Sequence, residues 1–193
     1  MKDIRILVLS GSIRAASFNT RLAGLVAKRA AIEGADVAQI SLADYPLPIF
    51  DQDLEKEKGV PQEARRLKTL FQRHDAIFIA SPEYNTAVTP LLKNTLDWVS
   101  RLSDSGEPPA AAFRNRVFAL GAASPGALGG IRGLMGLRTI LEIGLGALVI
   151  PEMVTVPNAG SAYDEHDDLT NERASEMLKT MVARMIEEAR LRR

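Results

Sequence analysis

The chain has no cysteine. This removes disulfides, thiol catalysis and cysteine-ligated zinc or iron–sulfur sites, and it fits a cytoplasmic protein. Histidine is nearly absent too. His74 and His166 lie far apart and lack ligand spacing. His74 is expected to end a helix, where its position suits the dipole. The acidic residues around His166 (Asp164, Glu165, Asp167, Asp168) read as a solvated turn, because the ligand pattern of a calcium loop is missing. No metal site is expected. No apolar run approaches the ~18 residues of a membrane span. Ile4–Leu9 is too short for a signal peptide and is interrupted by Ser10, Gly11 and Arg14. Charge of one sign is also lacking. The 24 basic and 24 acidic side chains cancel, so no basic excess points to nucleic acid. Two nucleotide fingerprints fail. No Gly-x-Gly-x-x-Gly follows an apolar run. Gly121 and Gly126 have P-loop spacing, but Ala127 and Leu128 stand where Lys and Ser/Thr are required.

What is present is a chain of 193 residues, enough for one sizeable core and short for two domains. No linker, repeat or low-complexity stretch divides it, so residues 1–193 are expected to form a single domain. Short apolar runs alternate with helical periodicity. The strand candidates are Ile4–Leu9, Asp36–Ser41, Ala76–Ala80, Val117–Ala122 and Ala147–Ile150. They read as buried parallel strands. The helix candidates are Asn19–Glu33, Pro61–His74, Thr89–Ser103, Ile131–Ile143 and Asn171–Arg193. Asn19, Thr89 (followed by Pro90) and Thr170 or Asn171 are the expected caps. Alternating βαβ units predict an α/β three-layer sandwich with a five-stranded parallel sheet in the order 2-1-3-4-5. Ligands in such sheets bind beyond the carboxyl ends of the strands.

Three loops fall at that end. The first, Gly11 to Asn19, offers Ser10, Ser12, Ser17 and Asn19 as hydrogen-bonding side chains, Arg14 as a cation, and a helix start. Helix N-termini bind anions, and arginine pairs with phosphate in bidentate fashion. Gly11 would permit a tight turn and close ligand approach. The second loop carries Pro82, Glu83, Tyr84 and Asn85, which suit the polar edge of a flat ring. The third, Ala123 to Gly130, holds Ser124, Gly126 and Gly129, and its glycines let backbone approach a ring closely. A ligand with a phosphate and a flat polar ring is a mononucleotide, and FMN is the natural candidate.

The pattern Gly11-Ser12-x-Arg14-x-x-Ser17-x-Asn19, then Pro82-Glu83-Tyr84-Asn85 and Leu92-Lys93-Asn94-x-x-Asp97-Trp98, resembles the NADPH-dependent FMN reductase family. The resemblance covers roughly residues 4–186 and implies a flavodoxin-like fold. It implies that Ser12, Arg14, Ser17 and Asn19 hold the FMN phosphate. It implies ring contacts from Pro82, Glu83, Tyr84 and Asn85, and further contacts from Ser124 and the glycines after it. It also implies a homodimer or homotetramer, with flavin near an interface built on the helices after the third and fourth strands. Leu96 and Leu137 are the expected interface leucines.

A flavin would explain why no catalytic triad is present, since the cofactor carries the chemistry. No side chain is expected to be catalytic. The leading expectation is an NAD(P)H oxidoreductase that reduces a small-molecule acceptor by a ping-pong scheme, with NADPH or NADH as donor. A flavodoxin-like electron carrier and a flavin-less binding or regulatory domain stay open. Zero net charge counts against the first, and the intact loop residues count against the second.

Overall fold

The computed structural model describes residues 3–193. The sheet comprises β1 (Arg5–Ser10), β2 (Asp36–Ile40), β3 (Ala76–Ala80), β4 (Val117–Ala123) and β5 (Leu148–Val156), all parallel, in the order β2-β1-β3-β4-β5. Helices α1 (Phe18–Ile32), α2 (Gln52–Lys58), α3 (Gln62–Arg73), α4 (Pro90–Ser100), α5 (Ile131–Thr139) and α6 (Glu172–Leu191) connect and cover the strands. This is the expected flavodoxin-like arrangement.

The alternation of side chains along each strand divides the core in two. Ile6, Val8, Phe78 and Ala119 meet α1 and α6 on one face. Leu7, Leu9, Ile77, Ile79, Phe118 and Leu120 meet α3, α4 and α5 on the other. Because both faces are covered, strands β1, β3 and β4 are apolar nearly throughout, and that continuity made them legible.

Two departures have clear causes. The last strand runs on past Ile150 to Val156, although Pro151 and Glu152 interrupt its apolar run. Its pairing with β4 slips between Phe118–Val149 and Leu120–Met153. A bulge on an edge strand tolerates a proline, because the missing N–H has no ladder partner to lose. The segment before α3 also holds an extra short helix, α2, whose Asp51 cap accepts the N–H groups of Asp53 and Leu54. The Leu92–Trp98 motif secures this segment. Asn94 donates to the Pro48 carbonyl (2.9 Å) and accepts the Phe50 N–H (2.8 Å), while the Trp98 indole donates to Pro48 (2.7 Å). Arg101 pairs with Glu55 at 3.0 Å from the same helix end.

The caps at Thr89 and Asn171 are as expected. The cap of α1 is Ser17, whose hydroxyl accepts the Thr20 N–H; Asn19 lies inside the helix. Leu96 and Leu137 are corrected more sharply. They are 1% and 0% exposed, packed between helix and sheet in the monomer core, so neither is available to a partner. The outward side of α5 carries Met135, 61% exposed, and the turn after it Ile143, 83% exposed. Among the described residues no helix is long and apolar enough to cross a membrane, and no group of His, Asp and Glu suits a metal.

An ion cluster built on a buried lysine ties α3 to the loop after α4. Lys68 is 4% exposed and donates to Asp104 (2.6 Å) and to Glu107, which also accepts Gln72 Nε2 at 2.8 Å. The Lys68 ammonium, the Asp104 N–H and Gln72 hold the Glu107 carboxyl down at about 2. A depressed carboxyl stabilises the fold above its unfolded value, and that contribution is lost as pH falls towards about 2. Native chain is therefore expected to lose more stability between pH 5 and pH 3, on the order of the unfolded carboxyl range, than a Glu107→Gln variant does. Denaturant midpoints at the two pH values check this, and equal losses would contradict it.

Candidate functional site

All three loops sit at the carboxyl edge of the sheet because β1, β3 and β4 are neighbours. Backbone hydrogen bonds hold their bases in register: Gly11 N–H to the Ala80 carbonyl (2.8 Å) and Ser81 N–H to the Gly121 carbonyl (2.8 Å).

The first loop is braced from inside. Ser10 Oγ accepts the Ser12 N–H (3.2 Å), and Ser12 Oγ accepts the Arg14 N–H (3.3 Å). Thr89 Oγ1 donates to the Gly11 carbonyl (2.7 Å) and accepts the Leu92 N–H (3.2 Å), so one hydroxyl ties the first loop to α4. A Cβ at Gly11 would lie 3.2 Å from Leu92 and 3.3 Å from the Thr89 hydroxyl. The bare position there makes room for α4 rather than for a ligand. Asn19, 3% exposed, spends its amide on the end of β4: Nδ2 donates to the Ala123 carbonyl (2.8 Å), and Oδ1 accepts the Ala123 N–H (3.0 Å). It joins the first loop to the third.

Arg14 is different. It is exposed, its guanidinium lies 5.8 Å from the Phe18 ring centroid, and no carboxylate pairs with it among the described residues. The next cations along α1 are neutralised: Arg21 pairs with Asp167, and Lys28 with Asp168 at 3.1 Å. They line a cavity of about 650 Å³ that reaches the first loop, where Ala16, Ser17 and Phe18 border it, and His166 also lines it. The acidic turn is thus tethered to α1. At the start of α1, Ser17 satisfies the Thr20 N–H, while the first-turn N–H groups of Phe18 and Asn19 have no partner in the helix. A cation, two serine hydroxyls and open N–H groups thus lie together in one loop and helix start, a donor set of the kind that binds anions.

The second loop is a tight turn. Tyr84 and Ala87 exchange both backbone hydrogen bonds at 3.0 Å, with Asn85 (φ 49°) and Thr86 (φ 66°) in the left-handed region between them. Such a turn needs positive φ at both central residues, which is costly for β-branched threonine. Ser81 and Pro82 are buried, whereas Tyr84, 54% exposed, and Asn85 project from the turn. Thr86→Gly is expected to stabilise the chain by about 1 kcal/mol by releasing this strain. An unchanged denaturant midpoint would contradict that.

The Glu83 carboxylate turns to α5. It accepts Arg132 Nε (2.8 Å), a second guanidinium nitrogen and the Gly133 N–H (3.0 Å). Burial alone would raise its pKa, but the Gly133 N–H and the Arg132 guanidinium outweigh that and hold it below the ordinary glutamate value.

In the third loop Ser124 Oγ accepts the Gly126 N–H (3.2 Å), and the Gly129 N–H bonds the Gly126 carbonyl (3.2 Å). Neither glycine therefore keeps a free N–H, and a Cβ at Gly129 would lie 3.0 Å from the Pro157 nitrogen, so its bareness makes room for the end of β5 rather than for a ligand. Gly130 begins α5 at φ 88°, and a Cβ there would lie 2.7 Å from Ala122 Cβ. The sequence pattern picked out every loop. It did not expose the ties between them: Asn19 to Ala123, Thr89 to Gly11, and Glu83 to Arg132. These join residues far apart in the chain, and no local spacing marks such pairs.

Known proteins similar to this chain fall in one family. The model of the family described as NADPH-dependent FMN reductase matches residues 4–161. An NAD(P)H-dependent FMN reductase of Pseudomonas aeruginosa is 32% identical over 182 residues, covering 92% of this chain and 90% of that protein. A quinone reductase of Escherichia coli K12 is 35% identical over 140 residues, 72% of this chain and 70% of the relative. Among solved structures, a flavoenzyme NAD(P)H:(acceptor) oxidoreductase from Paracoccus denitrificans shares the fold, with a TM-score of 0.77, 24% identity and 98% coverage of both chains. By the extent of the family match and the full-length relative, the chain belongs to the NADPH-dependent FMN reductase family, oxidoreductases that use FMN with NAD(P)H as electron donor.

Proposed function

We propose that the chain binds FMN across the three loops and reduces a quinone, flavin, azo compound or metal oxyanion with NAD(P)H by a ping-pong mechanism. The unpaired Arg14 at the start of α1 carries this reading. It is a cation without a carboxylate, beside Ser12, Ser17 and unspent helix N–H groups, and that donor set suits a phosphate dianion. Tyr84, Asn85 and the Ser124–Gly130 segment stand at the same edge of the sheet as Arg14 and, with the backbone of buried Pro82, are the candidates for the ring. Asn19 serves this site as a brace, because both ends of its amide are spent on Ala123, whereas Ser10, like Ser12 and Ser17, accepts one backbone N–H and keeps its O–H to donate.

FMN, when bound, would supply the redox chemistry, accepting a hydride from NAD(P)H and later giving electrons to the acceptor. The chain's part is to bind and orient. Arg14, Ser12 and Ser17 would fix the phosphate end. The rigid Tyr84–Ala87 turn would present Tyr84 and Asn85 to the ring edge. Backbone N–H groups of the third loop would favour added negative charge, and among the described residues those of Ala127, Leu128 and Gly130 have no partner in the chain.

Steady-state rates at several NADPH and quinone concentrations test this reading. Parallel double-reciprocal lines support the ping-pong order. Intersecting lines contradict it, and the absence of FMN-dependent turnover contradicts the oxidoreductase reading for this chain.

The exposed Met135 and Ile143 support self-association through α5. Met135→Glu with Ile143→Glu is expected to give a smaller particle by light scattering, with native circular dichroism. A wild-type chain that is monomeric at all concentrations would defeat this.

A further inference from the structure

We propose that Glu83 is a positioning residue: its carboxylate clamps the Tyr84–Ala87 turn to the first turn of α5 and so sets the separation of the second and third loops. The proposal rests on the FMN reading above and deepens it, since the position of Glu83 within the second loop first suggested a ring contact.

Three observations carry it. First, the carboxylate is spent. The Glu83 side chain is 7% exposed, and both its oxygens are engaged by α5, one by the Arg132 guanidinium and one by the Gly133 N–H. Second, the two segments touch along their backbones. A Cβ at Gly133 would stand 3.2 Å from Glu83 Cβ and 3.3 Å from the Ala87 carbonyl oxygen. Only a glycine allows α5 to come this near the turn. Third, the turn is strained at Thr86, and a strained conformation persists only where its surroundings over-determine it. The clamp at Glu83 and the paired bonds between Tyr84 and Ala87 together hold the base of that turn.

The same clamp acts on the third loop. Gly130 stands at its end, pressed against Ala122, and α5 leaves directly from it. Pulling the start of α5 towards Glu83 therefore fixes the Ser124–Gly130 segment relative to Tyr84 and Asn85. Charge adds direction. A carboxylate is favoured at a helix N-terminus, and its bonds to Arg132 and Gly133 are charge-assisted. Arg132 is half exposed, so its contribution to global stability is modest. Its contribution to geometry is not, because each bond fixes a loop on which the ring would rest.

The experiment compares wild type, Arg132→Ala, Arg132→Lys and Glu83→Gln. Each is read by apo-protein melting temperature, FMN titration and the midpoint potential of bound FMN. Wild type that takes up no FMN overturns the functional reading itself, and this proposal with it. With FMN bound by wild type, the proposal expects Arg132→Ala and Glu83→Gln to weaken FMN about tenfold, about 1.4 kcal/mol, and to shift the potential. Apo melting should stay close to wild type, and Arg132→Lys should recover much of both losses. Wild-type affinity and potential in Arg132→Ala would overturn the clamp. So would a loss of affinity that tracks a matching loss of apo stability and is not recovered by lysine, because that outcome makes the pair merely structural.

Discussion

Leu137→Asp is expected to unfold the chain. Leu137 is 0% exposed and packs among Leu120, Leu134 and Leu141 between α5 and the sheet. Removing a buried leucine side chain costs about 2–5 kcal/mol. An unpaired carboxylate in its place adds several kcal/mol more of desolvation. Domains of this size are stable by only about 5–15 kcal/mol, so the sum consumes most or all of it. Circular dichroism is the measurement, with lost helicity as the expected result. A folded but smaller particle would instead return Leu137 to an interface between subunits and contradict its place in the core.

Arg14→Ala has the largest expected effect on binding. The guanidinium is exposed and free of any carboxylate among the described residues, so its loss leaves no buried charge behind. Apo stability is expected to change little, within about 0.5 kcal/mol. FMN affinity is expected to fall by about 1.5–3 kcal/mol, the worth of a hydrogen bond to a charged group, or on the order of ten- to a hundredfold at 1.4 kcal/mol per decade. Unchanged affinity in a fluorescence titration would remove Arg14 from the phosphate site. A surface ion pair on another helix provides a contrast. Lys179→Ala breaks the pair with Glu176 on α6, and FMN affinity is expected to hold.

The sequence revealed the fold wherever local chemistry was unambiguous. Ala76–Ala80 is bounded as expected because it is wholly apolar and ends at Ser81-Pro82. Thr89-Pro90 marks α4 because a hydroxyl cap and a proline at the first helical position act on adjacent residues. The second half of β5 was hidden by Pro151 and Glu152, which only an edge-strand bulge makes tolerable. Leu96 and Leu137 were misplaced for a different reason. Apolar content shows that a helix has more than one greasy face, but which face meets the sheet depends on the rotation of the helix, and that is set by packing. The site follows the same division. Arg14, Ser12 and Ser17 stand out in the sequence because they share one contiguous loop, and the structure keeps them together at the start of α1. The engagement of the Glu83 carboxylate was not legible because Arg132 and Gly133 lie in α5, far along the chain.

The central claim is that the three loops hold an FMN which NAD(P)H reduces. The most direct measurement is the visible absorbance of the FMN-loaded protein, followed under anaerobic conditions as NADPH and then a quinone are added. The account predicts that NADPH bleaches the flavin band and that the quinone restores it. A band that survives both NADPH and NADH would contradict it.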